Sequence, residues 1–169
     1  MNRQKELKSS LYEDIRIKRT PKNNPLRGYW TGERGNSTYI PTTNQDEIIK
    51  ILNEHHLCGI KYEKGIIDLN PCSIATVSLV KMYIIRYKNF KICDMLCADL
   101  WNNTNFLNKH DWTSKEIKYY RKQYHYSWHE CNDCIHCELV PTKINSFFSH
   151  FGGIAECKLT SQNYDIIYN

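Results

Sequence analysis

The stretch YHYSWHECNDCIHCELVPTKINSFFSHFGG, residues 124–153, decides the fold of this chain. Its first part, Tyr124 to His129, is rich in aromatic residues and predicts a β-strand. The polar residues Cys131-Asn132-Asp133 predict a turn, and Cys137 to Val140 predict a second, short strand. Two strands joined by a turn within so few residues indicate an antiparallel hairpin.

A helix is predicted to follow this hairpin directly. It opens at Pro141-Thr142, because proline is favoured in a first helical turn, and Gly152-Gly153 is predicted to end it. His129 then lies on the first strand, and Asn145 and His150 lie on the helix. Imidazole nitrogen and amide oxygen suit one divalent cation. Such a cation assists phosphodiester hydrolysis, because it neutralises the charge that builds up on the phosphoryl oxygens.

Upstream of residue 124 the pattern alternates between helices and strands. The acidic start Asp46-Glu47 and the apolar spacing behind it predict a helix that ends near His55-His56. Thr113-Ser114-Lys115-Glu116 has the capping-box pattern that begins a helix to about Gln123. The other predicted elements are a hairpin of Gly59–Tyr62 and Ile66–Leu69 around Glu63-Lys64-Gly65, a strand from Ala75 to Tyr87, and a helix from Phe90 to Trp101 capped by Asn89.

Composition predicts a globular protein that stays inside the cell. The chain has 169 residues, 41% hydrophobic and 24% charged, with no apolar run long enough for a bilayer and no secretory signal at its start. We therefore expect a cytoplasmic protein. Its eight cysteines are expected to be reduced, because a chain of this length has enough apolar residues to form a core without disulfides.

The net charge of +5 is concentrated near the start of the chain. Residues 1–27 predict a basic leader and linker that ends in Pro21-Lys22-Asn23-Asn24-Pro25, and residues 28–169 predict a single domain. A basic arm attracts phosphate backbones, whereas a solvated leader without such a role has the same composition. Both interpretations stay open. The basic residues are Arg3, Lys5, Lys8, Arg16, Lys18, Arg19, Lys22 and Arg27.

The ordered motifs resemble the nucleases of the HNH and endonuclease VII superfamily, and within it the branch named for a Trp-His-His motif. Three segments carry the resemblance in the same order as in that branch: residues 126–133 with Trp128-His129, residues 138–141, and residues 150–153. Segments further upstream extend it over most of the chain after Gly28. The resemblance implies a C-terminal ββα-metal motif, similar to a treble clef, at about residues 124–153.

This sequence departs from the family pattern at two positions. Glu130 replaces the second histidine of the Trp-His-His signature, and Asn145 stands where relatives often carry histidine. The resemblance implies His129 and Glu130 as catalytic residues, and His129, His150 and Asn145 as metal ligands. Asn145 favours Mg²⁺ or Mn²⁺ over Zn²⁺, because an amide supplies only an oxygen. Loss of activity is the alternative consequence of both replacements.

Two further groups of residues carry predictions. Arg34, Arg86, Arg121 and Lys122 are candidate contacts for nucleic-acid phosphates. For the first two, an Arg-Asp ion pair that stabilises the fold is the competing interpretation. Cys131, Cys134 and Cys137 form a tight cluster that predicts a structural zinc site. Small buried thiols in place of apolar residues are the competing interpretation of that cluster.

The sequence as a whole predicts an α+β fold, with a mainly antiparallel sheet, packed helices and a ββα-metal motif. The resemblance implies a metal-dependent endonuclease that hydrolyses DNA or, as a lesser candidate, RNA, with one Mg²⁺, Mn²⁺ or Zn²⁺ as cofactor. It also implies a toxin or effector that is delivered into a target cell and neutralised by an immunity protein. The alternatives are a catalytically decayed nucleic-acid-binding module and a zinc-stabilised interaction protein. No membrane partner is expected, and the oligomeric state stays open.

Overall fold

The structure is a computed structural model that describes residues 12–167, and the side chains of residues 12–160. The predicted leader residues Arg3, Lys5 and Lys8 lie outside the described part. The chain forms two units: the first runs to Ser73 and includes Pro141–Phe151, and the second contains Ile74–Val140 and the chain from Gly152 onwards. Each unit combines helices with an antiparallel sheet, so the predicted α+β class is confirmed.

The first unit contains a four-stranded antiparallel sheet in the order β1-β2-β3-β4. Its helix α1 lies inside the segment predicted as a leader, and Arg16 of this helix is buried and donates a hydrogen bond to the carbonyl of Lys64. The domain boundary at Gly28 stays a prediction. The elements are α1 (Glu13–Arg19), β1 (Gly28–Trp30), β2 (Thr38–Pro41), α2 (Asp46–Glu54), β3 (Ile60–Glu63), β4 (Ile66–Ile67) and α5 (Thr142–Phe147).

The hairpin of β3 and β4 confirms the prediction made for this segment. Tyr62 pairs with Ile67 and Glu63 with Ile66, so a two-residue turn joins the strands. Lys64 and Gly65 both have positive φ, 52° and 73°, as a tight turn matched to the strand twist requires. The predicted helix from Asp46 is also confirmed, with Ile48 and Leu52 on its buried face.

Aromatic residues form the centre of the first unit. The ring of Trp30 meets the rings of Tyr39 and Tyr62 edge to face, with centroids 5.3 and 5.0 Å apart. Phe148, which follows α5, packs edge to face on Tyr39 at 6.2 Å. These side chains are at most 8% exposed. Edge-to-face packing of this kind stabilises a core beyond the area that it buries.

The second unit contains a three-stranded sheet in the order β5-β7-β6. Ala75 pairs with Leu139 and Val77 with Cys137, which makes β5 and β7 antiparallel. Two of its helices, α3 and α4, pack against each other, and α3 also contacts β5. The elements are β5 (Ala75–Ser78), α3 (Arg86–Thr104), α4 (Ser114–Gln123), β6 (Tyr126–Glu130), β7 (His136–Pro141) and α6 (Gly153–Ile167).

One face of this sheet supplies the hydrophobic core of the second unit. Trp128, Cys137 and Leu139 from the sheet and Cys93 and Cys97 from α3 belong to one buried cluster, each at most 1% exposed. Residues at every second position of a strand share a face. Consequently Trp128 and Leu139 point into the core, while His129 and Glu138 point to the other face. Cys93 and Cys97 therefore fill this core as small buried thiols.

The predictions for residues 75–101 are wrong in two respects. The strand ends at Ser78 instead of Tyr87, because the β-branched residues Val80, Ile84 and Ile85 beyond it are exposed. The helix begins at Arg86, so Asn89 lies inside it and does not cap it. The buried amide of Asn89 instead accepts a hydrogen bond from the backbone N–H of Tyr83 and donates one to its carbonyl.

The helix predicted to run from Pro141 to the glycine pair is also shorter. It ends at Phe147, so Asn145 lies on α5 but His150 lies beyond it. Gly153 begins α6 instead of ending a helix. Gly153 lies against backbone carbonyl groups of the hairpin. A Cβ at this position would be 2.2 Å from the backbone oxygen of Cys131. Only glycine allows α6 to start this close to the hairpin of β6 and β7.

The thiols were expected to be reduced, and for two of them this is wrong. Cys134, in the turn between β6 and β7, forms a disulfide with Cys157 of α6, 23 residues later. The two Cα atoms lie 5.8 Å apart, an ordinary distance for a disulfide. The physical reason is that the fold brings Cys134 and Cys157 together, whether or not the core needs covalent support. The other six cysteines, all within the described residues, form no disulfide.

The capping box of α4 is confirmed, and it gives a stability prediction. The hydroxyl of Thr113 accepts a hydrogen bond from the N–H of Glu116, whose carboxylate accepts one from the N–H of Thr113. We expect Thr113→Ala to lower the free energy of unfolding by about 1 kcal/mol, measured by urea denaturation. Ser114→Ala, a change at the exposed next position, is the control. Equal losses in both variants would contradict the capping role.

Candidate metal centre

The strand β6 presents two different sets of side chains on its two faces. Trp128 is buried, and its indole Nε1 donates a hydrogen bond of 2.8 Å to Oδ1 of Asp94 on α3. Glu130, two residues later, also contacts α3. His129 lies between them on the opposite face. Because neighbouring residues of a regular strand point to opposite faces, His129 and Glu130 do not reach one centre.

His129 belongs to a group of three buried residues that offers a metal ion three ligand atoms. An imidazole nitrogen of His129, the sulfur of Cys131 and a carboxylate oxygen of Glu138 all lie within 4.8 Å of one another. The three residues are 2%, 3% and 4% exposed. It is the one such group of His, Cys, Asp and Glu among the described residues.

The hairpin register explains why these three residues meet. The N–H of Cys131 bonds the carbonyl of His136, which pairs these two positions across β6 and β7. Counting back along both strands places His129 opposite Glu138, and directly opposite side chains have Cβ atoms about 5 Å apart. Cys131 shares the face of His129 because it lies two positions further along.

Glu130 is held on the other side by two residues of α3. Nε of Arg86 lies 3.0 Å from its Oε2, and Nδ2 of Asn89 donates a hydrogen bond of 3.3 Å to its Oε1. Burial raises the pKa of Glu130, while Arg86 and Asn89 oppose that rise. The side chain of Arg86 is 64% exposed, so one end of this pair reaches solvent. Of the two predicted catalytic residues, His129 alone belongs to the metal group.

The turn between β6 and β7 is fixed by its own side chains. Oδ1 of Asp133 accepts hydrogen bonds from the N–H groups of Ile135 and His136, and its Oδ2 lies 2.5 Å from Nδ1 of His136. Asn132 donates a hydrogen bond of 2.6 Å to buried Glu156 of α6. These contacts hold the hairpin end in one conformation, and with it the position of Cys131.

The three thiols of the predicted zinc site have three different environments. Cys131 belongs to the metal group, Cys134 forms the disulfide, and Cys137 lies in the core. A hydrogen bond with Cys93, with burial as a second cause, raises the pKa of Cys137 far above its usual range. In the described part of the chain these three thiols do not share one centre. The reason is the strand alternation, which turns Cys137 towards the core face.

The remaining predicted ligands belong to the first unit. Asn145 lies on α5 and His150 follows this helix; both are partly buried. Nδ1 of His150 lies 2.8 Å from the carbonyl oxygen of Phe148. Their assignment as metal ligands stays a prediction.

The predicted phosphate contacts fall into two kinds. Arg34 donates hydrogen bonds to the carbonyls of Lys18 and Thr20, and Arg121 forms a two-pronged ion pair with Asp94. Both guanidinium groups therefore have structural partners. Arg86 and Lys122 keep more exposure, and their contact with nucleic acid stays a prediction.

The sequence did not suggest Glu138 as a member of the metal group, and it grouped Cys131 with Cys134 and Cys137, which have other environments in the structure. A usable signal existed, because residues 129 and 131 share a strand face. The position opposite them depends on the register of the hairpin, and register follows from the turn. In this turn Cys134 has a positive φ of 59°, a conformation that cannot be predicted for a cysteine from the sequence.

Comparison with known families identifies the class of protein. A family model described as the DNase/tRNase domain of colicin-like bacteriocin matches residues 59–152, more than half of the chain. The chain belongs to this family of colicin-like DNase/tRNase domains. No curated protein and no solved structure gives a significant match.

Membership confirms the predicted activity. The chain is an HNH-type nuclease and a nucleic-acid-cleaving toxin domain. Colicin DNases depend on a metal ion and act inside a target cell, and colicins have dedicated immunity proteins. Among the described residues no helix is long and apolar enough to cross a bilayer.

Proposed function

We propose that this chain is a metal-dependent endonuclease that prefers DNA, with its metal ion on the hairpin of β6 and β7. The observation that supports this is the buried group of His129, Cys131 and Glu138, whose ligand atoms lie within 4.8 Å of one another. Three protein ligands leave one coordination position for water or a phosphate oxygen, which is the composition of a catalytic site.

The donor set also bears on the choice of metal. Nitrogen, thiolate and carboxylate together suit Zn²⁺, and a thiolate disfavours Mg²⁺. Asn145, if it is a ligand as the family resemblance implies, would favour Mg²⁺ or Mn²⁺. We propose that the hairpin group binds Zn²⁺ more tightly than Mg²⁺ or Mn²⁺. When bound there, the cation would neutralise charge on the scissile phosphate and lower the pKa of a water molecule.

The protein's own residues would position the substrate. Glu130 fixes Nε of Arg86, and the side chain of this arginine, which is 64% exposed, would bind a phosphate of the substrate on the α3 side of β6. Glu130 would then be a positioning residue, because it is tied to Arg86 and Asn89. The neutral form of His129 would bind the cation through one ring nitrogen.

The wider assignment follows the sequence motifs. We propose that the chain belongs to the Trp-His-His branch, that residues 124–153 form its ββα-metal motif, and that residues 28–169 act as one domain behind a basic leader. The order of β6, β7 and α5 along the chain supports the motif. By the same analogy, an immunity protein would be its inhibitor and a target cell its site of action.

A cleavage assay tests the activity and the substrate. The purified chain is freed of metal with a chelator and incubated with supercoiled plasmid or total tRNA, with Mg²⁺, Mn²⁺ or Zn²⁺ added separately. We expect plasmid nicking with at least one metal and none in the chelator. Preferential cleavage of tRNA would overturn the choice of DNA. Binding without cleavage under every metal would favour the catalytically decayed module instead.

A metal-binding experiment tests the hairpin group itself. We expect Cys131→Ser to weaken Zn²⁺ binding by at least about 100-fold in calorimetry, since changes outside the ligand shell alone weaken binding roughly 10–100-fold. Cys58→Ser, at an exposed free thiol, is the matched control and should bind as the unchanged chain does. Unchanged affinity in Cys131→Ser would remove this residue from the proposed centre.

A further inference from the structure

A groove between α3 and α4 in the second unit has no part in the metal group. Its volume is about 260 Å³, below the roughly 300–1,000 Å³ of enclosed small-ligand pockets, and it is open to solvent. An open groove of this kind suits one segment of a longer ligand better than a whole small molecule. It is lined by Tyr87, Phe90, Lys91, Asp94, Lys118 and Arg121.

Helical spacing aligns the α3 side of the groove. Phe90 and Asp94 are four residues apart, as are Tyr87 and Lys91, so each pair forms one row on the helix surface. On α4, Lys118 and Arg121 are three residues apart and also share a face. The groove is therefore a continuous surface built from two packed helices.

The floor of the groove is rigid and close to neutral. Nε and one terminal amino group of Arg121 lie 2.7 and 2.9 Å from the two carboxylate oxygens of Asp94. Trp128 donates a third hydrogen bond to the same carboxylate. The charge of Asp94 is thus compensated by Arg121, and Asp94 does not repel an anion as an isolated carboxylate would.

The two lysines on the rim leave the groove with a positive charge. Lys91 and Lys118 are exposed, and within residues 12–160 neither takes part in an ion pair that the structure records. Their ammonium groups are available for an anion. Two positive charges on an open groove attract the phosphates of a nucleic-acid backbone.

Aromatic surface accompanies these charges. Tyr87 is 67% exposed at the edge of the groove. The guanidinium groups of Arg86 and Arg121 lie 6.0 and 5.4 Å from the ring centre of Phe90, so this ring already has two cations near it. Tyr87 consequently offers the free stacking surface. Exposed aromatic rings beside basic side chains are how proteins bind unpaired nucleotides.

We propose that the α3–α4 groove binds a single-stranded nucleic-acid segment, with a base on Tyr87 and phosphates on Lys91 and Lys118. The inference rests on the proposed function only in that the substrate is nucleic acid. The groove opens on the α3 side of β6, whereas His129 points to the other face, so this is a second contact and not the cleavage site. Unpaired bases are required, because a paired base cannot lie flat on a tyrosine ring.

Fluorescence anisotropy in the presence of EDTA tests this inference without cleavage. The probes are a short labelled oligonucleotide as single-stranded DNA, the same sequence as RNA, and its DNA duplex. We expect Tyr87→Ala to weaken binding of a single strand about tenfold, and Tyr87→Phe to retain it because the ring remains. Binding of the duplex should change little in both variants. Comparison of the affinities for the DNA and RNA single strands shows which nucleic acid the groove prefers.

The lysines are tested through the salt dependence of binding. We expect the Lys91→Ala/Lys118→Ala double variant to lower the slope of log affinity against log salt by about 1.4, since each phosphate contact on a single strand contributes about 0.7. Lys50→Ala/Lys61→Ala removes the same charge from exposed positions of the first unit and is the control. Circular dichroism checks that each variant folds.

Two outcomes would overturn the inference. Equal weakening in both double-lysine variants would mean general electrostatic attraction and no specific groove. Equal affinity of Tyr87→Ala and the unchanged chain for a single strand would remove the stacking contact. Neither outcome touches the metal centre, because plasmid cleavage by the unchanged chain is measured separately.

Discussion

His129→Ala is expected to lower metal-dependent cleavage of plasmid DNA about 1,000-fold or more. This substitution removes the nitrogen donor of the buried group, so Cys131 and Glu138 alone would hold the proposed cation weakly. Loss of one positioned group that stabilises transition-state charge already reduces rates roughly 100- to 1,000-fold. Initial rates on supercoiled plasmid, measured over a range of enzyme concentrations, give the effect.

A second variant separates chemistry from folding. His129 is buried, so removal of its ring also leaves a cavity. His129→Asn retains a polar side chain and should lose cleavage while its thermal unfolding in the absence of metal stays closer to that of the unchanged chain. His110→Ala, at an exposed histidine that lies 3.3 Å from the carbonyl of Asn102, is the matched control. Full activity of His129→Ala would remove the proposed centre.

Gly153→Ala is expected to destabilise the protein by about 3 kcal/mol, at the upper end of the effects of overpacking. The added Cβ would lie 2.2 Å from the carbonyl oxygen of Cys131 and 2.6 Å from that of Glu130. Both are backbone atoms, so no side-chain rotation relieves the contact and the hairpin or α6 must move. Urea unfolding measures the loss.

Gly152→Ala is the control for this prediction. A Cβ at Gly152 would meet no atom within 4 Å, so its effect should stay below about 1 kcal/mol, mainly from the lower preference of alanine for a helix start. Since Cys131 moves with the hairpin, we also expect weaker Zn²⁺ binding in Gly153→Ala. Similar stabilities of the two alanine variants would contradict the close approach of α6 to the hairpin.

The hairpin of β6 and β7 is involved in both variants. His129→Ala removes one of its proposed metal ligands, and Gly153→Ala disturbs the backbone contact that fixes its position. If Gly153→Ala folds but binds metal weakly, the position of the hairpin controls metal binding. Loss of cleavage in Gly153→Ala with metal binding retained would instead indicate that α6 acts on the substrate side.

Local chemistry made several elements predictable from sequence. The capping box of Thr113 and Glu116 satisfies backbone groups within one helical turn, so its effect does not depend on the rest of the fold. The turn at Lys64-Gly65 is equally local. Apolar spacing predicted the buried face of α2 for the same reason. Where contacts between residues close in sequence stabilise an element, the sequence alone is enough to predict that element.

Predictions failed where partners come from far along the chain. The β-branched residues after Ser78 resemble a strand, yet they are exposed, and pairing of β5 with β7 ends at Ser78 and His136. Asn89 has the chemistry of a helix cap, but its amide is bound to Tyr83 and Glu130 instead. Residue alternation and capping residues indicate which secondary structures a segment can form. Tertiary contacts then decide which of these structures it forms.

By itself the sequence determined the α+β class and the nuclease family, because these follow from ordered motifs and local periodicity among residues close in sequence. It also predicted His129 as a site residue. Only the tertiary structure decided that Glu138 and Cys131 join His129, that Glu130 turns to Arg86, and that Cys134 pairs with Cys157. The physical reason is that strand register and helix docking fix distances between residues far apart in the chain. These distances determine which side chains meet.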